Sequence, residues 1–428
     1  MKVAFLTLGC KVNHYETDLL KEKFEAAGHT IVDFEELADV YVVNSCSVTN
    51  MSDRKTRQML SRARHNNKDA VIAVLGCSVE GKKEHLEEFD ADIILGNEDK
   101  SNLLEIVEEY IKTKNKKTIL TDVNAVKKYQ DVGTMKSGYE IREEIKIEDG
   151  CNNFCSYCII PYVRGRVRSR ELDSIVKETK SLVNNGVKEI ILVGIEVASY
   201  GQDLNGLDLF NVIDELETID GLERIRLSSM MPRFLTEENI KRLAGYTKLC
   251  PHFHISMQSG NTEVLKRMNR KYGKELLIEV CGNLKRYFNN PYLAADVIVG
   301  FPGETNEEFE DTIDTINKMG LTEIHVFKYS KRNYTRAAKM DNQIDGVVKK
   351  ERSNIVLNLS KKLNKEFLNM YLGKKVKVLF ENYEDGVLLG YTENYIKVCV
   401  KGDKRLCGTV QDVVVQSLEE ERVLAEVI

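Results

Sequence analysis

The segment Gly150-Cys151-Asn152-Asn153-Phe154-Cys155-Ser156-Tyr157-Cys158-Ile159-Ile160-Pro161 contains three cysteines in a C-x3-C-x2-C arrangement, with no fourth cysteine or histidine nearby in the sequence. An electron-transfer [4Fe–4S] cluster has four cysteine ligands, whereas Cys151, Cys155 and Cys158 would leave one iron free to bind another molecule. The alternative is a structural zinc site, which needs a fourth ligand. The segment therefore predicts an iron–sulfur cluster with one open position.

The composition is typical of a globular protein with more than one core. The 428 residues, of which 42% are hydrophobic and 30% charged, are enough for about two to four domains. No apolar stretch approaches the roughly 20 residues of a membrane-spanning helix. The first residues form a strand-like run without a cleavage site, which predicts a cytoplasmic protein with no membrane partner. In that compartment the ten cysteines are expected to be reduced or to bind metal.

Residues 1–125 are predicted to form a doubly wound parallel sheet, because strand-like runs alternate with helix-length amphipathic segments. The predicted strands are 3–8, 40–43, 71–75 and 93–95, and the predicted helices are 15–27, 53–65, 81–89 and 100–112. Cys10, Cys46 and Cys77 each follow a predicted strand. Ligands in open α/β sheets lie at the carboxyl ends of strands. Packing of small buried cysteines is the alternative, but three matching positions favour a second three-cysteine metal site.

Residues 137–367 follow a polar linker at 113–137 and are predicted to form a partial barrel of six βα units. The predicted strands are 144–148, 189–193, 224–227, 253–257, 294–299 and 323–327. The cysteine loop follows the first of them, so it is expected at the mouth of the barrel. Two glycine motifs follow later strands, Val193-Gly194-Ile195-Glu196 and Ile298-Val299-Gly300-Phe301-Pro302-Gly303-Glu304, and ordinary turn chemistry is the alternative for both.

Residues 370–428 show short strand patterns at close spacing, which predicts a small all-β barrel. The stretch 349–377 before it is rich in Lys and Arg, which suits either a polyanion or a solvent-facing helix. Cys250, Cys281, Cys399 and Cys407 fit no three-ligand set and are assigned to packing.

Together these motifs resemble the radical S-adenosylmethionine (SAM) methylthiotransferases over nearly the whole chain. Gly9-Cys10-Lys11-Val12-Asn13-His14-Tyr15-Glu16 is similar to the branch that acts on N6-threonylcarbamoyladenosine in tRNA. The isopentenyladenosine branch usually has G-C-Q-M-N at this place, and the ribosomal-protein branch has G-C-P-K-N. Residues 192–201 and 252–260 also match the threonylcarbamoyladenosine branch.

The resemblance implies an enzyme that replaces the C2 hydrogen of that adenosine, next to the tRNA anticodon, with a methylthio group. It implies SAM and two [4Fe–4S] clusters, one held by Cys151, Cys155 and Cys158 and the other by Cys10, Cys46 and Cys77. Gly194 and Glu196 would contact the SAM amino group, and Ile298 and Gly300 the adenine. The C-terminal barrel would be an RNA-binding TRAM domain. The implied partners are a tRNA anticodon stem-loop, a reducing protein of the flavodoxin or ferredoxin type, and a sulfur donor. The two triads are expected to face one shared cavity.

Several alternatives stay open at this point. The same chemistry could act on isopentenyladenosine tRNA or on a ribosomal-protein aspartate, and a non-catalytic RNA-binding protein with structural metal is the alternative of another class. Arginines at every second position follow the cysteine loop and suit either solvent or phosphate: Arg164, Arg166, Arg168 and Arg170. His252 and His254 are interpreted as packing residues of a strand. Met231, Tyr334 and Arg336 depart from the family pattern, which usually has an acidic residue, glycine and proline there.

Overall fold

The computed structural model describes residues 1–131, 133–136 and 138–428. The predicted end of the linker at residue 137, where the middle unit was expected to begin, lies outside the described residues. Among the described residues no helix is both long enough and apolar enough to cross a bilayer.

The N-terminal part is a six-stranded parallel sheet with the order β2-β1-β3-β4-β5-β6. Its strands are β1 Lys2–Thr7, β2 Thr30–Val32, β3 Val40–Ser45, β4 Val71–Gly76, β5 Ile93–Leu95 and β6 Lys117–Ile119. The connecting helices are α1 Lys11–Ala26, α2 Asn50–Asn66, α3 Cys77–Gly81 and α4 Leu103–Thr113. One apolar cluster joins α1 and α4 to one face of the sheet, and another joins α2 to the opposite face. The predicted doubly wound sheet is confirmed.

Two details of this region differ from the prediction. The short edge strands β2 and β6 were not predicted, because each has only three residues. The predicted helix over 81–89 is wrong: α3 ends at Gly81, and only a 3-10 turn at Leu86–Glu88 follows. The segment between them is almost entirely charged and lacks an apolar face that could pack.

The middle part consists of two three-stranded parallel sheets, β7-β10-β11 and β12-β13-β14, joined by isolated bridges such as Met230 to Ile255. The strands are β7 Arg142–Lys146, β8 Glu148–Asp149, β9 Arg168–Ser169, β10 Glu189–Val193, β11 Arg224–Leu227, β12 His252–Gln258, β13 Tyr292–Val299 and β14 Glu323–Lys328. The helices are α5 Ile160–Val163, α6 Leu172–Asn184, α7 Leu209–Glu217, α8 Glu237–Leu243, α9 Thr262–Arg267, α10 Lys274–Tyr287 and α11 Asn306–Met319. The predicted six-stranded partial barrel is confirmed.

Side chains alternate between two environments along these strands, as strand geometry requires. One set, which includes Ile145, Ile190 and Ile225, packs with the helices in the main core. The other set lines the lumen and is strongly polar: Arg142, Glu144, Lys146, Glu189, Arg224, Arg226, His252, His254, Asp296, Glu323 and His325. The barrel therefore has an apolar outer layer and a charged interior.

The C-terminal part begins with the long helix α12, Gly346–Asn369, which packs on β14. A closed barrel follows in the order β15-β16-β17-β19-β18, with β15 Lys375–Glu384, β16 Val387–Thr392, β17 Lys397–Lys401, β18 Val410–Glu419 and β19 Arg422–Val427. This barrel closes the lower end of the lumen: Arg226 lies 4.7 Å from the Tyr395 ring centroid, and Arg224 donates to the Tyr391 carbonyl at 2.8 Å. The predicted all-β barrel is confirmed.

Candidate active site

The sheet order brings Cys10, Cys46 and Cys77 to one edge. They follow β1, β3 and β4, which are neighbours in the sheet. The residue before Cys10 must be a glycine, because a Cβ on Gly9, which has φ +110°, would lie 2.9 Å from Sγ of Cys46. Burial raises the pKa of Cys46 to about 11, and the Cys77 and Cys10 thiolates add to the rise. The three cysteines therefore lie in one neighbourhood at this edge of the sheet.

The second triad lies in a loop between the two short strands β8 and β9, which pair antiparallel at the barrel mouth. Gly150 adopts φ +82°, and a Cβ there would lie 1.9 Å from the Arg166 carbonyl oxygen. Burial raises the pKa of Cys151 to about 11, and Asn153 donates to its Sγ from the side-chain amide at 3.3 Å. Burial also raises the pKa of Cys158, and the thiolates of Cys155 and Cys151 add to the rise.

A buried guanidinium contacts each triad. Nε of Arg164 lies 3.3 Å from Sγ of Cys77, and one terminal nitrogen of Arg270 lies 3.3 Å from Sγ of Cys155. A guanidinium at this distance can offset part of the negative charge of a metal-bound cysteine sulfur. Each set provides three free cysteine sulfurs and one adjacent guanidinium, a donor set that fits a [4Fe–4S] cluster at either place.

Arg164 also joins the barrel to the N-terminal sheet. Its side chain is fully buried and donates to Glu16 at 2.9 Å, to Asp149 at 2.9 Å and to Asn13 at 2.6 Å. Burial alone would raise the pKa of Asp149, but Arg164 and Lys146 outweigh it and lower the pKa. Next to this network, Cys77 packs with Ile159 and Val163, which lie one and five residues after Cys158. The two triads therefore adjoin the same interface between the sheet and the barrel.

The arginine run was predicted to face either solvent or phosphate, and both predictions are wrong for three of its four members. Arg164, Arg168 and Arg170 are buried, and they pair with Glu16, Glu98 and Glu178 respectively. Only Arg166 is exposed, and it stacks on Phe154 at 4.2 Å. Carboxylates from other segments pair with these arginines, and a run that is typical of surface residues is therefore buried at an interface.

The residues proposed for SAM surround the mouth. Glu196 is buried, its backbone N–H donates to Glu148, and burial raises its pKa to about 7. A Cβ on Gly194 would lie 2.3 Å from Oε1 of Glu148. Ile298 and Tyr157 of the cysteine loop pack against the same small apolar cluster, and the Gly300 N–H donates to Glu304 at 2.6 Å. All four predicted positions therefore lie around the same opening as the second triad.

The three departures from the family pattern have different structural consequences. Sδ of Met231 accepts from Arg270 at 3.2 Å, and its N–H donates to Glu196 at 3.3 Å, so this residue lies inside the site. Tyr334 is exposed and adopts φ +66°, a conformation that glycine adopts without strain. Arg336 is exposed and begins a 3-10 turn.

A polar cluster in the lumen was not predicted. His254 contacts Asp296 at 2.9 Å and Ser229 at 3.0 Å, so it is not only a packing residue of its strand. His325 lies 3.6 Å from the same carboxylate and 3.4 Å from Glu323, and these hydrogen bonds raise its pKa to about 10. The alternation along the three strands could have identified this lumen-facing set, but only strand pairing brings its members together.

Lys11, directly after Cys10, reaches the lumen from the open side of the barrel. Burial lowers its pKa, and the nearby charges are Glu144 and Arg142, then Arg226 and Glu189. Its side chain nevertheless has exposed surface. The two observations agree because Lys11 lines a cavity of about 450 Å³ that it shares with Glu144, Ile191 and Tyr395.

Comparisons with known proteins agree with this arrangement. Residues 145–316 match the radical SAM superfamily, and residues 2–96 match the uncharacterized protein family UPF0004. The threonylcarbamoyladenosine tRNA methylthiotransferase MtaB of Bacillus subtilis (strain 168) is 39% identical over 95% of this chain and 92% of its own length. The protein of the same name from Aquifex aeolicus (strain VF5) is 38% identical over 95% of this chain and 98% of its own. The tRNA-2-methylthio-N(6)-dimethylallyladenosine synthase of Alkaliphilus oremlandii (strain OhILAs) is 36% identical over 96% and 89%.

Solved structures show the same fold at low identity. The radical S-adenosylmethionine methyltransferase TsrM from Kitasatospora setae, with cobalamin and a [4Fe-4S] cluster bound, aligns with a TM-score of 0.59 at 16% identity. The alignment covers 79% of this chain and 77% of that one. Membership of the superfamily implies SAM and a [4Fe–4S] cluster, and the names of these relatives give tRNA as their own substrate. The chain belongs to the radical SAM tRNA methylthiotransferases.

Proposed function

We propose that this enzyme transfers a methylthio group to C2 of N6-threonylcarbamoyladenosine next to the anticodon of tRNA. The proposal assigns one [4Fe–4S] cluster to Cys151, Cys155 and Cys158, and a second to Cys10, Cys46 and Cys77. The proposal rests on the position of the buried Arg164. This residue follows the short helix after the cysteine loop, and its side chain contacts Cys77 of the other triad. One base between the two domains could meet both sites.

The proposed clusters would supply the electron that cleaves SAM to a 5′-deoxyadenosyl radical and the sulfur that is inserted at C2, with a second SAM as methyl donor. The chain's own contribution is to bind and orient. In its deprotonated form Glu196 would pair with the SAM ammonium, and Gly194 leaves room for it. Ile298 and Gly300 would pack on the adenine.

The architecture also protects a reactive site from water. The N-terminal sheet covers the open side of the partial barrel through Arg164, and Arg332 of the barrel pairs with the buried Asp53 of α2 at 2.7 Å. The C-terminal barrel closes the lower end. A single-stranded anticodon-loop base can be splayed out of its stack into such a pocket.

The remaining assignments follow from this chemistry. We propose the units 1–125, 137–367 and 370–428, the last of them as an RNA-binding TRAM domain. A flavodoxin- or ferredoxin-type protein would supply electrons, and a separate sulfur donor would restore the inserted sulfur. Because tRNA is the proposed substrate, we place the enzyme in the cytoplasm.

The second candidate substrate is dimethylallyladenosine, since relatives with that printed activity are 36% identical. Such a substituent is apolar and would give Lys11 and Glu144 no hydrogen-bonding partner, whereas the threonylcarbamoyl group carries polar groups that can pair with both. A ribosomal-protein aspartate finds no support among these relatives. A non-catalytic RNA-binding protein is excluded by membership of an enzyme family.

The test is anaerobic reconstitution with iron, sulfide, SAM and a reductant, followed by nucleoside mass spectrometry of anticodon stem-loops. A stem-loop with threonylcarbamoyladenosine should gain a methylthio group. A matched stem-loop with dimethylallyladenosine should stay unchanged. Product on the second RNA alone would contradict the proposal.

A further inference from the structure

Lys11 differs from the other cations that line its cavity. Lys21 pairs with Asp18 at 2.8 Å, and Arg142 pairs with Glu381 at 3.2 Å. Among the residues that the structure describes, Lys11 forms no hydrogen bond and has no carboxylate within ion-pairing distance. An ammonium that lines an open cavity and has no partner is available to pair with an anionic group of a ligand.

The lumen beyond Lys11 contains few other free charges. Arg226 pairs with Glu189 at 2.6 Å, and His325 is shared between Asp296 and Glu323. Glu144 acts on Lys11 at longer range but forms no ion pair with any described residue. Among the described residues, the cavity therefore presents Lys11 as a cation without an ion pair, faced by the unpaired carboxyl group of Glu144, to whatever enters between the sheet and the barrel.

Lys11 is also adjacent in sequence to Cys10, a member of the triad proposed to supply sulfur. In adenine, C2 and the N6 substituent lie on the same edge of the ring, on either side of N1. A base with C2 directed at the sulfur site would hold its N6 substituent next to that site. The threonylcarbamoyl substituent ends in a carboxylate and carries a hydroxyl group and urea N–H groups, which match a cation beside a carboxyl group.

We propose that the ammonium of Lys11 binds the carboxylate of the threonylcarbamoyl substituent and thereby selects this nucleoside over uncharged N6-modified adenosines. The inference rests on the proposed function and names the residue that recognises its substrate. Glu144, across the cavity, is the acceptor available to the hydroxyl or urea N–H groups. Lys11 is a substrate-binding residue and takes no part in radical formation.

The test compares binding of three stem-loops to the anaerobically reconstituted enzyme by fluorescence anisotropy. The RNAs carry threonylcarbamoyladenosine, its methyl ester or unmodified adenosine at the same position. The ester removes the charge and keeps the shape. The wild-type enzyme should bind the acid about 10- to 100-fold more tightly than the ester, as expected for a charge-assisted hydrogen bond. A wild-type ratio near one would overturn the inference without any variant.

Two variants of Lys11 and one control complete the design. Lys11→Gln should reduce the acid-to-ester ratio to near one, and Lys11→Arg should retain most of it because the charge stays. Lys21→Gln removes a cation of the same cavity that already has a partner, and it should bind as the wild type does. Iron content is measured for each variant, so that loss of a cluster is not taken for loss of recognition. An unchanged ratio in iron-replete Lys11→Gln would overturn the inference.

The two proposals fail in different ways. If the wild-type enzyme forms no methylthio product on the threonylcarbamoyladenosine stem-loop, the proposed function is wrong. If product forms but acid and ester bind equally, only the role of Lys11 is wrong.

Discussion

Nε of Arg164 lies 3.3 Å from Sγ of Cys77, although the two residues are 87 positions apart in the chain. The same guanidinium holds Asp149, which lies two residues before Cys151. One fully buried side chain therefore links the N-terminal cysteine triad to the loop that carries the other triad. This link holds the two cysteine-bearing segments at the interface between the sheet and the barrel.

Replacing Arg164 should destabilise the protein strongly. Arg164→Met would leave the buried Glu16 and Asp149 short of a partner, and removing one member of a buried ion pair costs about 3–5 kcal/mol. The measurement is urea unfolding of the apoprotein. Arg166→Met, two residues away and exposed, is the matched control and should change the free energy of unfolding by less than about 0.5 kcal/mol. Equal effects of the two changes would contradict the structural role of Arg164.

Removing one cysteine of a triad should remove about half of the bound iron. The reconstituted enzyme is expected to hold about eight irons in two clusters, and Cys46→Ala should hold about four. Iron and sulfide analysis under anaerobic conditions measures this. Cys281→Ala, which alters a buried cysteine of the main core, is the control and should keep the full content. Zinc in place of iron in the wild-type protein would show that the cluster assignment is wrong.

Stability of the apoprotein should depend on pH through Glu196. Its pKa in the folded protein is raised to about 7, above the value of about 4.3 for an exposed glutamate. The folded state therefore binds this proton more tightly than the unfolded state does. The resulting contribution to the free energy of unfolding is fully present at low pH and is lost as pH rises to about 7. Between pH 5 and pH 8 the wild-type protein should lose about 2–3 kcal/mol relative to Glu196→Gln. If the free energies of unfolding of the wild-type protein and Glu196→Gln, measured in urea, changed equally with pH, this prediction would be contradicted.

Glycine at position 194 should be required for folding of the mouth. A Cβ there would lie 2.3 Å from the Glu148 carboxylate, and such a clash typically costs about 1–3 kcal/mol. Gly194→Ala should therefore lower the melting temperature and weaken SAM binding, as measured by calorimetry. Gly282→Ala is the control: it lies within α10, a Cβ there meets nothing within 4 Å, and it should stabilise the protein by about 0.5–1 kcal/mol.

Much of the fold could be predicted because its signals are local. Apolar runs at strand length located β1, β3, β4 and β5 within one or two residues, and close-spaced strand patterns predicted the C-terminal barrel. The errors occur where local signals are weak. The edge strands β2 and β6 form because a neighbouring strand offers hydrogen bonds, and the helix expected over 81–89 has no apolar face.

The sequence by itself determined the C-x3-C-x2-C spacing, the alternation of strands and helices, and the position of three further cysteines after strands. Each of these lies within a short segment, where geometry follows from spacing. Only the tertiary structure decided that β1, β3 and β4 are neighbours, that Arg164 is buried between the domains, and that Lys11 has no ion-pair partner within the part of the chain that the structure describes. Whether a charged side chain faces solvent, a counter-ion or an empty cavity depends on segments far away in the chain, and no local pattern encodes that.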